Sequence, residues 1–167
     1  MGPGSVQPLV VATEFESVQL RGLTGQDAEP FFDLVQRNRV FLTRYGDYEE
    51  LVKATVEELR KEFSSKSDAF RMGIWRKEEL MGRLDTYEAV PGAWVLGYWL
   101  GEKYTGKGYT TAACRALMAH VRSRRSVKGY WAGIRPINKE SIALVERLGF
   151  SVYEKLPDHT RFRLVCQ

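Results

Sequence analysis

Cysteine and histidine are scarce in this chain, which has two of each among its 167 residues. Cys114 and Cys166, taken with His120 and His159, show no metal-ligand spacing, so we expect no metal and interpret both thiols as structural. Long apolar runs are also missing, and the amino terminus lacks the charged-then-apolar pattern of a signal peptide. These absences favour a cytoplasmic protein with no membrane partner.

A strong excess of one charge sign is missing as well, because 25 basic and 21 acidic residues leave a net charge of +4. One basic run, from Arg122 to Lys128, could attract an anionic ligand or RNA. A run of this kind at the end of a helix is more often solvated and complements the helix dipole. We therefore expect that nucleic acid is not the partner of this chain.

What the chain does have is the composition of one soluble domain. Hydrophobic residues make up 44% of it and charged residues 28%, and its length suffices for one core and not for two. Met1 to Ser5 resembles an expression remnant, and no strong pattern appears before Ser17. We predict an amino-terminal extension or expression remnant over 1–17 and one domain over 18–167.

Hydrophobic periodicity predicts the element order β-αα-βββ-α-β-α-ββ. Apolar residues at helical spacing predict helices after Asp27, from about Asp47 to Phe63, after Gly108 and after Asn138. Alternating or continuous apolar runs predict strands that begin near Val18, Phe70, Leu80, Ala93, Tyr130, Phe150 and Arg161. The predicted fold class is α/β (α+β), a mixed sheet with helices packed on its faces.

A glycine-spaced turn joins the longest apolar strand, Ala93 to Leu100, to a helix. Gly106 and Gly108 can adopt backbone angles that are closed to other residues, and they let a ligand approach the main chain. The helix that follows directs free N–H groups and the positive end of its dipole at the same place. The turn is therefore either a phosphate-binding loop or a plain glycine turn, and these residues alone favour neither.

Two motifs on these elements resemble the GNAT superfamily of acyl-CoA-dependent N-acyltransferases. Lys103 to Gly108 is similar to the family pattern Q/R-x-x-G-x-G/A, and Asn138 to Phe150 is similar to the family's N-x-x-S/A helix that ends in G-F. The phrases Val18 to Thr24, Leu96 to Leu100 and Ser141 to Phe150 look most like the RimJ/RimL-like branch, which acetylates protein N-terminal amines and small-molecule amines. The resemblance implies the GNAT fold, with a mostly antiparallel sheet of about seven strands and about four helices.

The resemblance also implies that an amine attacks acetyl-CoA directly, with the coenzyme bound as co-substrate beside the strand that ends at Leu100. Amides of the glycine turn would hold the pyrophosphate, Asn138 would reach the pantetheine arm, and Ser141 would lie near the sulfur as a catalytic group. The implied coenzyme-binding residues are Trp99, Leu100, Thr105, Gly106, Lys107, Gly108, Tyr109, Thr110, Asn138 and Ser141.

Three positions depart from the family pattern. Lys103 stands in place of Gln or Arg, which is a mild change because the turn acts mainly through its backbone amides. Val145 replaces a tyrosine that is proposed to protonate the leaving thiolate, so that role is not transferred to this chain. Val95 replaces a glutamate that many RimJ/RimL-like sequences carry, and its absence weakens the case for a lysine acceptor.

A general base is harder to identify from the sequence. The catalytic candidates are Asp85 and Glu88, on the third predicted strand, which begins near Leu80. Glu102, Asp158 and His159 are further candidates for the base. For each of these residues, a solvated surface role competes with catalysis.

Tyr45, Asp47 and Tyr48 lie where the family usually builds its acceptor pocket, and aromatic rings with one acid suit a cationic or ring-bearing amine. Helix capping and core packing explain these residues equally well. We predict an N-acetyltransferase, monomeric or homodimeric, that acts on an amine-bearing small molecule or a protein N-terminus. Two alternatives stay open: a non-catalytic CoA-binding or regulatory module, and an acyltransferase that uses a tRNA-linked or non-acetyl group.

Overall fold

Apolar segments of the chain pair into one eight-stranded sheet accompanied by six α-helices, and the computed structural model describes residues 7–167. The strands are β1 (Val10–Ala12), β2 (Val18–Gly22), β3 (Phe70–Arg76), β4 (Glu79–Val90), β5 (Ala93–Leu100), β6 (Gly129–Ile134), β7 (Ser151–Lys155) and β8 (Thr160–Val165). The helices are α1 (Ala28–Arg37), α2 (Arg39–Thr43), α3 (Glu49–Lys53), α4 (Val56–Ser64), α5 (Tyr109–Arg122) and α6 (Lys139–Arg147).

The sheet opens between its two central strands. The strand order is β1-β2-β3-β4-β5-β6-β8-β7, and every neighbouring pair is antiparallel except β5 with β6. The parallel register of β5 and β6 stops at Val95 opposite Trp131, although β5 continues to Leu100 and β6 to Ile134. We call the gap beyond this last pair the splay.

Helices cover the two faces of the sheet near the splay. Phe31 of α1 packs edge-on against Trp99 of β5, with ring centroids 5.5 Å apart. The neighbouring Tyr98 points to the opposite face, where its hydroxyl lies 3.4 Å from the carbonyl oxygen of Ser141 in α6. The α1 side and the α6 side of β5 are therefore separate environments that meet at the splay.

The region between α1 and β3 differs from the prediction of one helix from about Asp47 to Phe63. Tyr48 has a left-handed backbone (φ 64°), so α3 begins only after it. A second helix, α4, then begins because Thr55 and Glu58 form a capping box, in which each side chain accepts the other residue's N–H. The short α2 forms between the first two predicted helices. Together with the division into α3 and α4, it raises the helix count from four to six.

One strand precedes the predicted domain start. β1 pairs with β2 through residues 10–12 and buries Val11, within the segment that showed no strong pattern. Three residues are too few to display a period, so hydrophobic patterning could not indicate this strand. Met1 to Ser5 lie outside the described residues. Within residues 7–167 no helix has the length and hydrophobicity needed to cross a bilayer.

Candidate functional site

An open cavity of about 910 Å³ runs along the splay. The glycine turn and the start of α5 line one end, α6 lines the middle, and the segment between α2 and α3 lines the other end. The cavity brings together most of the predicted coenzyme and acceptor residues, namely Tyr45, Asp47, Tyr48, Trp99, Leu100, Thr105, Gly106, Gly108, Tyr109, Thr110, Asn138 and Ser141. Lys107 is exposed and is not part of this lining.

The turn end of the cavity has the geometry of an anion site. Gly106 and Gly108 both have positive φ angles, 77° and 84°, a conformation that glycine adopts most readily. The first backbone bond of α5 runs from the N–H of Ala112 to the carbonyl of Gly108, so the N–H groups of the preceding turn have no acceptor within the helix. These groups and the helix dipole fit the pyrophosphate of coenzyme A.

Two arginines at this end were missed in the sequence. Arg147 of α6 lies 3.4 Å from the Thr111 hydroxyl, which places its guanidinium beside the first turn of α5. Arg115 follows Thr111 by one helical turn, lines the same cavity and pairs with Glu14 at 3.1 Å. Helical spacing from Gly108 could have indicated Arg115, whereas Arg147 depends on how α5 and α6 pack.

A carboxylate braces the loop that leads into the turn. Glu79 accepts a hydrogen bond from the Tyr104 hydroxyl, and its oxygens lie 2.9 Å from Arg76 and 3.3 Å from the Lys103 ammonium. The Tyr104 bond, followed by Arg76, lowers the pKa of Glu79 from its ordinary 4.5 to about 2. Lys103, which stands where the family has Gln or Arg, is thus held by Glu79 at the base of the turn.

We predict that Glu79→Gln loosens this brace. A carboxyl with a lowered folded-state pKa stabilises the protein above pH 4.5, and this stabilisation is lost as pH falls towards 2. The variant should therefore unfold at a lower temperature than the parent at pH 6, by about 1 to 3 °C because solvent screens the half-exposed carboxylate. The difference should shrink in melts at pH 3. If the difference in melting temperature between the two proteins grew on acidification, the Glu79 carboxylate would not be stabilising the loop.

Successive residues of β5 direct their backbone N–H and C=O groups alternately towards β4 and towards the splay. The Gly101 N–H donates to the Met81 carbonyl on β4 at 2.8 Å. Antiparallel pairing alternates the direction of these groups, so the backbone of Tyr98 and Leu100 faces the splay and that of Trp99 faces β4. Trp99 is one of the coenzyme-binding residues that the resemblance implies, and it lines the cavity. Because β4 uses its backbone groups, however, they are not available to the coenzyme.

The start of α6 presents polar groups to the same cavity. Asn138 caps the helix, with its side-chain oxygen accepting the Ser141 N–H at 3.2 Å. Both residues line the cavity, so capping and ligand contact are compatible in Asn138. Burial raises the pKa of the Tyr98 hydroxyl that reaches over Ser141, which keeps the phenol protonated. Val145 is fully buried and offers no polar group.

Contacts to other parts of the chain hold the segment Arg44 to Tyr48 at the far end of the cavity. The Tyr45 hydroxyl donates to Glu140 at 3.0 Å, and Arg135 donates to Asp47 at 2.8 Å. The Tyr48 hydroxyl donates to the Tyr98 carbonyl in the splay at 2.7 Å. Side chains that the sequence assigned to a cationic amine are therefore already engaged by the protein.

The α1 side of the splay is open at a pair of glycines. Gly97 and Gly133 follow the last pair, Val95 and Trp131, by two residues on each strand, so they share one face. Both are exposed, and a β-carbon built on Gly97 would meet no atom within 4 Å. The protein therefore leaves free space above Gly97 on this face, whereas the His159 ring lies close to Gly133.

The two carboxylates predicted as catalytic lie at different places. Asp85 is opposite Gly97 across β4 and β5, and Arg83 donates to it at 2.8 Å. Burial raises the pKa of Asp85 and Arg83 opposes that rise. Glu88 instead accepts the Gly92 N–H at 2.7 Å in the β4–β5 turn. Neither lines the cavity, but Asp85 is the one beside its open face.

The other possible bases are spread around this face. His159 lies over Gly133, where a β-carbon would come within 3.2 Å of the imidazole, and it contacts Asp158 at 2.8 Å. Glu102 precedes the turn and its N–H is bound by Asn38. Within residues 7–167 no group of three or more His, Cys, Asp or Glu side chains could hold a metal ion.

The family described as acetyltransferase (GNAT) domain matches residues 17–151 of the chain. The chain is 26% identical over 146 residues to the probable N-acetyltransferase YjcK of Bacillus subtilis, with 81% of each protein covered. It is 31% identical over 94 residues to the ribosomal protein uS5-alanine N-acetyltransferase of Escherichia coli, which covers 53% of this chain and 48% of that protein.

The fold is also similar to a solved structure, that of RimL, a ribosomal L7/L12 alpha-N-protein acetyltransferase in complex with coenzyme A. The TM-score is 0.82 at 23% identity, and the match covers 94% of this chain and 98% of that one. The fold predicted from the sequence is confirmed by this likeness.

Proposed function

We propose that this chain, which belongs to the GNAT acetyltransferase family, takes the α-amine of a polypeptide as its acceptor. As a member of that family it is an acyl-CoA-dependent N-acyltransferase with acetyl-CoA as co-substrate. The observation that carries this proposal is that the splay is open to both faces of the sheet. The glycine turn and Ser141 lie towards one face, and Gly97 leaves the other face open. Coenzyme and acceptor can therefore meet in the splay from opposite sides.

The reaction follows from the groups around the splay. The N–H groups of β5 that face the splay polarise the thioester carbonyl. The amine nitrogen bonds to the carbonyl carbon while the carbon–sulfur bond breaks, which leaves an amide and the thiolate of coenzyme A. The Ser141 hydroxyl donates a proton to the thiolate and recovers it from solvent. The proton that the amine loses passes through water to Asp85, which lies beside the open face and outside the cavity.

The weakness of the base favours an α-amine. At pH 7 an α-amine with a pKa of about 8 costs about 1.4 kcal/mol to deprotonate, whereas a lysine with a pKa of about 10.4 costs about 4.6 kcal/mol. Val95 provides no carboxylate, and Arg83 holds the one on Asp85. An acceptor that needs little help in losing its proton fits this site best.

Two further observations support a polypeptide over a small cationic amine. Asp47 and Tyr45, which would recognise such an amine, are engaged by Arg135 and Glu140. The open face at Gly97 and Gly133 is exposed and gives an extended chain room to leave the site. Relatives described as acting on ribosomal protein uS5 or L7/L12 point to the same class of acceptor.

A thiol-release assay with acetyl-CoA tests this function. Peptides with a free amino terminus should release coenzyme A, and N-acetylated peptides that contain lysine should not. Ser141→Ala should lower kcat about 10- to 100-fold with little change in the KM for acetyl-CoA. Ser151→Ala, an exposed position on β7, is the matched control and should behave like the parent.

Other outcomes of the assay separate the alternatives. If small amines released coenzyme A faster than any peptide with a free amino terminus, the acceptor would be a small molecule and not a polypeptide. Calorimetric binding of coenzyme A without release to any amine would support a non-catalytic CoA-binding module. Transfer from a longer acyl-CoA or a tRNA-linked group, in the absence of transfer from acetyl-CoA, would point to a different acyl donor.

A further inference from the structure

A second hollow lies beside the acceptor end of the splay. It has a volume of about 740 Å³ and lies between the end of α1, the helix α2 and the residues just before the glycine turn. Four basic side chains and one acidic side chain line it: Arg37, Arg39, Arg44, Lys103 and Glu102. We call this surface the arginine hollow.

The positive charge of the arginine hollow is largely uncompensated. Among residues 7–167, no carboxylate lies within 4.0 Å of Arg37, Arg39 or Arg44, whereas Lys103 pairs with Glu79. Arg39 instead donates to the Gln36 side chain at 2.6 Å and to the Val52 carbonyl at 3.2 Å, and Arg44 donates to the Phe41 carbonyl at 2.6 Å. These partners are neutral, so they do not cancel the charge that a ligand would meet. The carboxyl ends of α1 and α2 favour cations at Arg37 and Arg44 in any case, but Arg39 at the start of α2 lacks that explanation.

The hollow is continuous with the acceptor end of the main cavity. Phe41, Arg44 and Tyr104 line both spaces, and the Arg44 guanidinium lies 3.7 Å from the centre of the Phe41 ring at the junction. An exposed apolar side chain, Val40 at 84%, forms part of the outer wall. A chain that leaves the splay past Arg44 would enter a hollow that offers the exposed Val40 and three arginines without a carboxylate partner.

We propose that the arginine hollow binds the segment of an acceptor polypeptide that follows its amino terminus, and that it selects acidic side chains in that segment. This inference rests on the proposed function. Each extended residue advances the chain by about 3.3 Å, so side chains a few residues from the reacting amine would reach Arg39 and Arg37. Carboxylates there would gain charge-assisted hydrogen bonds, and lysines would be repelled.

Peptides of equal length test the selection. They share their first two residues and carry Asp, Ser or Lys at the next four positions. With acetyl-CoA and the parent protein, we expect kcat/KM to be about tenfold higher for the Asp peptide than for the Lys peptide, through KM and not kcat. The difference should shrink in high salt, because both arginines are exposed.

Matched variants assign the effect to the hollow. In the double variant Arg37→Gln with Arg39→Gln, the preference for the Asp peptide should fall to about twofold. Removal of two other exposed charges, by Arg122→Gln with Arg124→Gln, should leave the preference unchanged. Thermal melts of both proteins check that each remains folded.

Binding measurements test peptide selection by the arginine hollow independently of peptide acetylation. Anisotropy of fluorescent Asp and Lys peptides on the coenzyme A-bound protein should show the same preference and the same loss in the Arg37/Arg39 variant. If that pattern appears without acetylation of any peptide, the selection of acidic peptides by the arginine hollow is supported and the proposed function is wrong. Equal binding of Asp and Lys peptides overturns the hollow. A matching fall in affinity for coenzyme A, measured by calorimetry, also overturns it, because the anion would then be a coenzyme phosphate.

Discussion

Replacing Gly97 by leucine is expected to lower kcat/KM for a peptide acceptor by about 100-fold or more, while acetyl-CoA binds as before. A β-carbon at this position meets no protein atom within 4 Å, and the backbone has no positive φ that would strain a side chain. The fold should therefore accept leucine. The added side chain would occupy the open face of the splay, where a displacement of the amine by about 1 Å costs about 100-fold in rate.

Three measurements on Gly97→Leu separate acceptor access to the splay from folding and from coenzyme binding. Thiol release measures turnover, calorimetry measures the affinity for coenzyme A, and a thermal melt checks the fold. Ser151→Leu adds a similar apolar side chain at an exposed strand position away from the splay, and it should leave turnover unchanged. Undiminished acetylation by Gly97→Leu would mean that the acceptor reaches the thioester by another route.

The open face also shows why the sequence could not locate the acceptor. Gly97 and Gly133 are 36 residues apart in number and carry no side chain, and they lie on either side of the splay only because the β5–β6 register stops at Val95 and Trp131. Register ends depend on packing around the whole sheet. No local pattern indicates where a register ends. The resemblance instead indicated acceptor binding at Tyr45, Asp47 and Tyr48, which stays a prediction.

Local signals were reliable where one element carries the information. The glycine turn, the Asn138 cap and the strands from β2 onwards are set by residues next to one another in sequence. The division between α3 and α4 also had a local signal, since Thr55 and Glu58 form a capping box, but a single helical period across 47–63 obscured it. Contacts between elements, such as Arg147 with Thr111, could not be predicted in this way.

Substitutions at Gly106 should show whether the turn binds phosphate or only reverses the chain. Gly106 has a φ of 77°, lines the cavity, and a β-carbon there would meet no atom within 4 Å. Valine is strained at such a φ, whereas asparagine tolerates it. If phosphate approaches the main chain, both side chains obstruct it. We expect the Kd for coenzyme A to rise at least about tenfold in Gly106→Asn and about 100-fold or more in Gly106→Val.

The asparagine variant is the decisive one, because it keeps the backbone conformation and changes only the space above the turn. Gly149→Asn is the matched control: Gly149 follows α6 with a φ of 97° and does not line the cavity, so coenzyme affinity should stay at the parent value. Parent-like affinity in Gly106→Asn would reduce the turn to a chain reversal. The pyrophosphate would then depend on side chains such as Arg147 and Arg115, and a glycine-spaced turn before a helix would carry no information about the ligand.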